Sequence, residues 1–216
     1  MKRSFAFFMM ALAMLAACGT AVDDESGLGQ SLAVLTNRGG AAQFVPRFTA
    51  LIERDAPRLQ VAFVEQNVSA DILLERQDGP FAYWLSSDGT HIILENGMLH
   101  STRGLGEGLL ASDLKQPLAL VLSLQEGWSD RFHTYLDGND FAVTRTYRCL
   151  IEDRGPEEID LFGTPTATRL MRESCRSLDQ EFVNLYWVAS SGRDIVLSRQ
   201  WAGPVIGAIS TRIVPR

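Results

Sequence analysis

Three cysteines and three histidines are the residues of this chain best suited to nucleophilic or metal chemistry. Cys18 closes the run Leu15-Ala16-Ala17-Cys18, behind Lys2, Arg3 and an apolar stretch from Phe5 to Ala17. That stretch falls short of the roughly 20 residues a membrane-spanning helix needs, so it reads as a secretory signal peptide. Small residues before the cysteine suit a peptidase pocket, and a thiol there can accept a diacylglyceryl group. Cleavage before Cys18 and acylation of the new N-terminus, palmitate included, are the expected chemistry. Cys149 and Cys175 remain. In an oxidising compartment an isolated pair is most economically a disulfide, closing a loop of about 27 residues for roughly 3–4 kcal/mol. Two buried free thiols are the alternative. None of His91, His100 and His133 has ligand spacing to a cysteine, so no metal site is expected.

Catalytic motifs are missing. No serine sits in a G-x-S-x-G elbow and no HExxH occurs. Gly104-Leu105-Gly106-Glu107-Gly108 lacks the Lys-Ser/Thr of a phosphate loop and the glycine spacing of a dinucleotide fold, so it reads as a point where the chain changes direction. Glu152-Asp153 and Glu157-Glu158 fall in a polar stretch where solvated charge is the ordinary explanation. His133, beside Arg131 and Tyr135 in strand-like sequence, reads as a structural histidine. The expectation is a non-enzymatic protein without cofactor. Binding candidates, for glycan or a protein partner, are the aromatics Trp84, Trp128, Tyr186, Trp187 and Trp201, although core packing is the commoner role of such rings. Tyr186 and Trp187 are adjacent, so in a strand they point to opposite faces.

The formal charge is −6, and losing Lys2 and Arg3 with the signal takes it to −8. An acidic exported domain is repelled by nucleic acid and by anionic lipid, so nucleic acid is excluded as a partner and the acyl chains, not surface charge, are the expected hold on the membrane. Gly19 stands where an inner-membrane retention signal places Asp, which favours the outer membrane with the domain facing the periplasm. Lys115 is the only lysine after Cys18. The arginine excess fits either recognition of acidic groups or a GC-rich coding bias.

The elements that must carry these residues follow from the periodicities. Residues 1–17 are the signal peptide, 18–29 a small, acidic tether (Asp23, Asp24, Glu25), and 30–216 one β-rich domain. Leu28, Leu32 and Leu35 are spaced for a short helix ending at Gly39-Gly40, and Pro46 opens a second with Phe48, Leu51 and Ile52 on one side. From Val68 the period becomes two. Asp78-Gly79-Pro80, Ser87-Asp88-Gly89 and Asn96-Gly97 then mark turns of an antiparallel meander, and Asn-Gly is a strong two-residue hairpin signal. Leu109–Gln125 is ambiguous, with Pro117 favouring a short helix. A hairpin follows over Trp128–Leu136 with Phe141–Glu152, then strands over Thr166–Leu178 and Glu181–Ala189, the turn Ser190-Ser191-Gly192-Arg193, Asp194–Trp201 and a last strand around Val205–Ile213. Pairing 141–152 with 166–178 through Cys149 and Cys175 puts the pivot at Phe162-Gly163. Gly155-Pro156-Glu157-Glu158 leaves room for an extra strand or loop there. The fold class is all-β, an antiparallel meander forming a barrel-like or sandwich domain with short N-terminal helices.

Several segments in order resemble a known family. They are Tyr83-Trp84-Leu85-Ser86-Ser87-Asp88-Gly89, Glu95-Asn96-Gly97-Met98, Arg103-Gly104-Leu105, Asp113-Leu114, Asn184-Leu185-Tyr186-Trp187-Val188 and Ser198-Arg199-Gln200-Trp201-Ala202-Gly203-Pro204. Together with the Cys18 signal they resemble the YjbF/GfcB (YmcC-like) lipoproteins of exopolysaccharide and group 4 capsule production. The resemblance implies a barrel-like or sandwich β fold and a non-enzymatic part in polysaccharide secretion or assembly. It implies partners among the polymer and the export proteins of the same gene cluster, and it transfers no catalytic residue. A lipid or lipoprotein carrier with an acyl-binding cavity is the alternative.

Overall fold

The computed structural model describes residues 44–136, 139 and 141–215. The signal peptide, Cys18, the tether and the helix expected over Leu28–Leu35 lie outside the described residues. So does the turn at 137–140, apart from Asn139.

Twelve strands form one antiparallel sheet: β1 (Arg58–Phe63), β2 (Val68–Asp78), β3 (Phe81–Leu85), β4 (His91–Glu95), β5 (Met98–Arg103), β6 (Leu109–Asp113), β7 (Gly127–Leu136), β8 (Ala142–Leu161), β9 (Thr164–Arg176), β10 (Glu181–Ala189), β11 (Ile195–Gly203) and β12 (Gly207–Ile213). Its order is β5-β4-β3-β2-β1-β12-β11-β10-β9-β8-β7-β6, so every consecutive pair except β5 and β6 is hydrogen-bonded. β1 meets β12 from Leu59↔Ile213 to Phe63↔Ile209, which curls the meander into a barrel. β5 and β6 lie side by side at the remaining seam without a backbone ladder. Side chains bridge it instead: Thr102 Oγ1 donates to Leu109 O at 3.5 Å and Arg103 Nη1 to Leu110 O at 3.1 Å. The glycine-rich segment 104–108 is the connection across the seam, and a Cβ on Gly108 would stand 2.2 Å from Thr102 Oγ1.

The turns follow from residue type. Asn96 (φ 45°) and Gly97 (φ 87°) both take the left-handed region, the combination a two-residue hairpin requires. Phe162 (φ 53°) and Gly163 (φ 87°) do the same between β8 and β9. Cys149 stands opposite Cys175 and the two form a disulfide, as the pivot at Phe162-Gly163 requires. Gly155-Pro156 adds no strand or loop. It makes a bulge in β8, where Arg154 and Gly155 stand against Leu170 alone between the pairs Asp153↔Met171 and Pro156↔Arg169. β7 pairs no further than Ile151, so Pro156 sits where one flank of β8 is free and a missing N–H is tolerated.

Two strands go beyond the sequence expectation. β1 precedes Val68, with Leu59 and Val61 buried on alternate positions, and β6 occupies the start of the ambiguous stretch. Two helices complete the described fold, α1 (Pro46–Glu53) and α2 (Lys115–Leu122). Pro46 fits the first turn of α1, where its missing N–H is unneeded. Phe48 and Leu51 pack on Leu73 and Leu85, the face opposite Ile72 and Trp84. Leu118 and Val121 of α2 pack against Met98, Ile151, Met171, Tyr186 and Val188. Neither helix is long and apolar enough to cross a membrane.

Candidate functional site

Alternation along β7 buries Ser129, Arg131, His133 and Tyr135, and the same parity brings in Glu173 from β9 and Asn184 and Tyr186 from β10. Arg131 Nη1 donates to Glu173 Oε2 at 2.7 Å and to Tyr186 Oη at 3.1 Å. Tyr186 Oη and Asn184 Nδ2 each donate to the same carboxylate oxygen at 2.7 Å. Arg131 Nε donates to His133 Nε2 at 2.8 Å, which leaves the imidazole proton on Nδ1, 2.8 Å from Tyr135 Oη. Burial alone would pull the Arg131 guanidinium down, but Glu173 and Tyr186 beside it more than offset that and hold it above its ordinary value. Burial, then Glu173, pushes the Tyr186 hydroxyl up. Burial, reinforced by Arg131, holds His133 well below the usual imidazole value.

This cluster is sealed. Arg131, His133, Glu173, Asn184 and Tyr186 are all at 0% exposure, so a substrate has no access to any of them. Cys149 and Cys175 lie beside Glu173, but as a disulfide they offer no thiolate to a metal. The network is a structural core. Its neutral histidine gives a pH dependence with a definite sign. The unfolded chain protonates at His133 near pH 6.5 while the folded chain does not, so this contribution is complete above about pH 6.5 and is lost as pH falls below it. Between about pH 7.5 and 5.5 the loss is on the order of 1 kcal/mol. Urea midpoints of wild type and His133→Gln at the two pH values check it: the wild type should lose more stability on acidification than the variant.

Of the aromatic candidates, Trp84 and Tyr186 sit in the core and are closed to any ligand. The structure thereby settles which of the adjacent pair points inward: Tyr186 does. Trp187 and Trp201 are half-buried, with indole nitrogens shielded from solvent, and Trp201 stacks on Phe182 at 5.8 Å between ring centroids. Trp128 alone stands out, 58% exposed.

Register sets what surrounds it. Trp128 pairs with Leu150, Leu150 with Ser174, and Ser174 with Val183, giving one row across β7–β10. The next row is Asp130, Arg148, Arg176, Glu181, and on the other side Glu152, Arg172, Leu185 and Arg199 follow each other. An apolar row headed by tryptophan therefore lies between two rows rich in arginine, on the face opposite the sealed network. Residues of these rows line an open groove of about 770 Å³. Arg148 pairs with Asp130 at 2.8 Å, and Arg172 with Glu152 and Arg176 with Glu181 at 2.9 Å each. The Arg148 guanidinium carbon is 5.5 Å from the Trp128 ring centroid, a cation–π contact.

Residues 46–214, the whole described barrel, match the family described as group 4 capsule polysaccharide lipoprotein GfcB, YjbF. The chain belongs to this family. A crystal structure of the hypothetical lipoprotein YmcC from Escherichia coli K12 is similar to it in fold. The TM-score is 0.64 at 20% identity, covering 74% of this chain and 85% of that one. No curated protein matches the chain. The segments that carry the GfcB/YjbF resemblance turn out to be joined in space. Gln200 Nε2 donates to Gly97 O at 3.1 Å and Gln200 Oε1 accepts from Leu99 N at 2.7 Å, so the closing-strand segment pins the Asn96-Gly97 hairpin. A Cβ on Gly203 would stand 2.9 Å from the Tyr135 ring. These segments thus hold the barrel together, while the arginines of the groove lie outside all but one of them.

Proposed function

We propose that the protein is an outer-membrane lipoprotein, anchored through acylated Cys18 and facing the periplasm, that supports exopolysaccharide or capsule secretion by binding polymer or export proteins without catalysis. In this reading residues 1–17 are removed, 18–29 tether the domain, and 30–216 do the work. The observation that carries it is family membership over the whole barrel, joined to an exposed aromatic and arginine surface beside a sealed interior. The carrier alternative needs an apolar cavity, whereas α2 and the Arg131–Glu173 cluster occupy the inward face.

Deletion of the gene tests the proposal. Surface polysaccharide should fall and be restored by wild type. Cys18→Ala should yield a folded, unacylated protein that fails to restore it. Unchanged surface polymer in the deletion strain would remove the secretion role. Full restoration by Cys18→Ala would remove the need for an anchor.

A further inference from the structure

We propose that the groove across β7–β10 binds an extended, carboxylate-bearing polysaccharide. Trp128 stacks on a sugar ring, and Arg148, Arg172 and Arg176 pair with acidic groups along the polymer. The assignment rests on the reading above that polymer is one of the ligands.

Four features select this occupant. The first is how the guanidiniums are held. Arg148 and Arg172 reach their acidic neighbours through Nη1 and Arg176 through Nε, and each has a single acidic partner among the described residues. Planar forks fixed along one edge are suited to a second carboxylate along another. The resident pairs are exposed and therefore weak, so a polyanion competes with Asp130, Glu152 and Glu181 at small cost. Arg199, at the end of its row, has no ion pair among the described residues.

The second feature is contrast: the chain carries a formal charge of −6, whereas the two rows flanking Trp128 hold four arginines against three carboxylates. The third is the floor. Leu150 and Val183 extend the apolar row from Trp128, with the small Ser174 between them. With strands about 4.8 Å apart, the row from Trp128 to Val183 runs about 14 Å, enough for a run of sugars. The fourth concerns the backbone. Across the middle of the groove β8 is laddered to both β7 and β9 from Arg148 to Ile151, and β9 to both β8 and β10 from Arg172 to Arg176, so neither offers a free edge there to a peptide strand.

The test is titration of the full chain in detergent with polygalacturonate and with its fully methyl-esterified form. Wild type is expected to bind the acid polymer, more weakly as salt rises, and not the ester. Trp128→Ala, the triple variant R148Q/R172Q/R176Q, and Val183→Glu in the exposed floor should each weaken binding by at least about tenfold. Phe162→Ala, at the distant hairpin tip, should leave it unchanged. Equal binding of acid and ester, binding indifferent to all three groove variants, or no binding by wild type would overturn the assignment. If wild type does not bind while gene deletion still abolishes surface polysaccharide, the groove assignment falls and the secretion role stands. If it binds while deletion leaves surface polymer unchanged, the reverse holds.

Discussion

Glu173→Gln is expected to lower the unfolding free energy by about 3–5 kcal/mol, the largest loss from any single replacement considered. The amide leaves the Arg131 guanidinium at 0% exposure without its countercharge. It also weakens the acceptor that Tyr186 and Asn184 share. Arg131→Met alone should cost a similar amount by stranding the carboxylate. The double variant R131M/E173Q removes both charges together, so its loss should be clearly smaller than the sum of the two single losses. Urea denaturation of the four proteins closes the cycle. A Glu173→Gln loss under about 1 kcal/mol, a value typical of an exposed pair, would contradict the view that this pair organises the interior.

The second large effect concerns the link between β8 and β9. C149A/C175A should destabilise the protein by about 3–4 kcal/mol, the loop-closure value for a bridge of this span. Both sulfurs pack with Tyr147 and Phe182, so the truncated side chains also leave unfilled space. Reductant supplies an independent check. Added to wild type, it should move the denaturation midpoint toward that of the double alanine variant and leave the variant itself unmoved. No shift in either experiment would mean that the Phe162-Gly163 hairpin is already fully formed without its bridge.

How much of this was legible in the sequence depends on the range of the interaction. Asn96-Gly97 announces itself because its backbone conformation is written in two adjacent residues, whereas nothing local marks Phe162 for its positive φ and that turn follows only from the cysteine pairing. The 149–175 partnership is legible because an isolated cysteine pair in an oxidising compartment is most economically a disulfide, and its midpoint then converts spacing into register. The β1–β12 pairing was not, since alternation says which face a residue takes and nothing about which distant strand lies beside it. The aromatic candidates show the same limit. Sequence placed Tyr186 and Trp187 on opposite faces, but only Arg131 and Glu173, from strands 55 and 13 residues upstream, decide that Tyr186 is the inner one. Nothing local marks Glu173, although it shares parity with Cys175, for which the cysteine pairing supplies a cross-strand partner. The arginine rows flanking Trp128 exist only once four strands are in register, so no local spacing could have shown them.

The seam between β5 and β6 gives the barrel a mechanical character of its own. A fully laddered hoop resists a change of girth everywhere at once, because widening it means stretching a complete set of backbone bonds. This one behaves as a split ring. Its gap is closed by two side-chain hydrogen bonds and spanned by the glycine-rich connection 104–108, so its compliance is concentrated along a single line. That line runs beside β6, the immediate neighbour of the strand that carries Trp128. A sideways pull on the outer face is therefore taken up next to where it is applied, while the long arc from β8 through β12 to β4 keeps its shape.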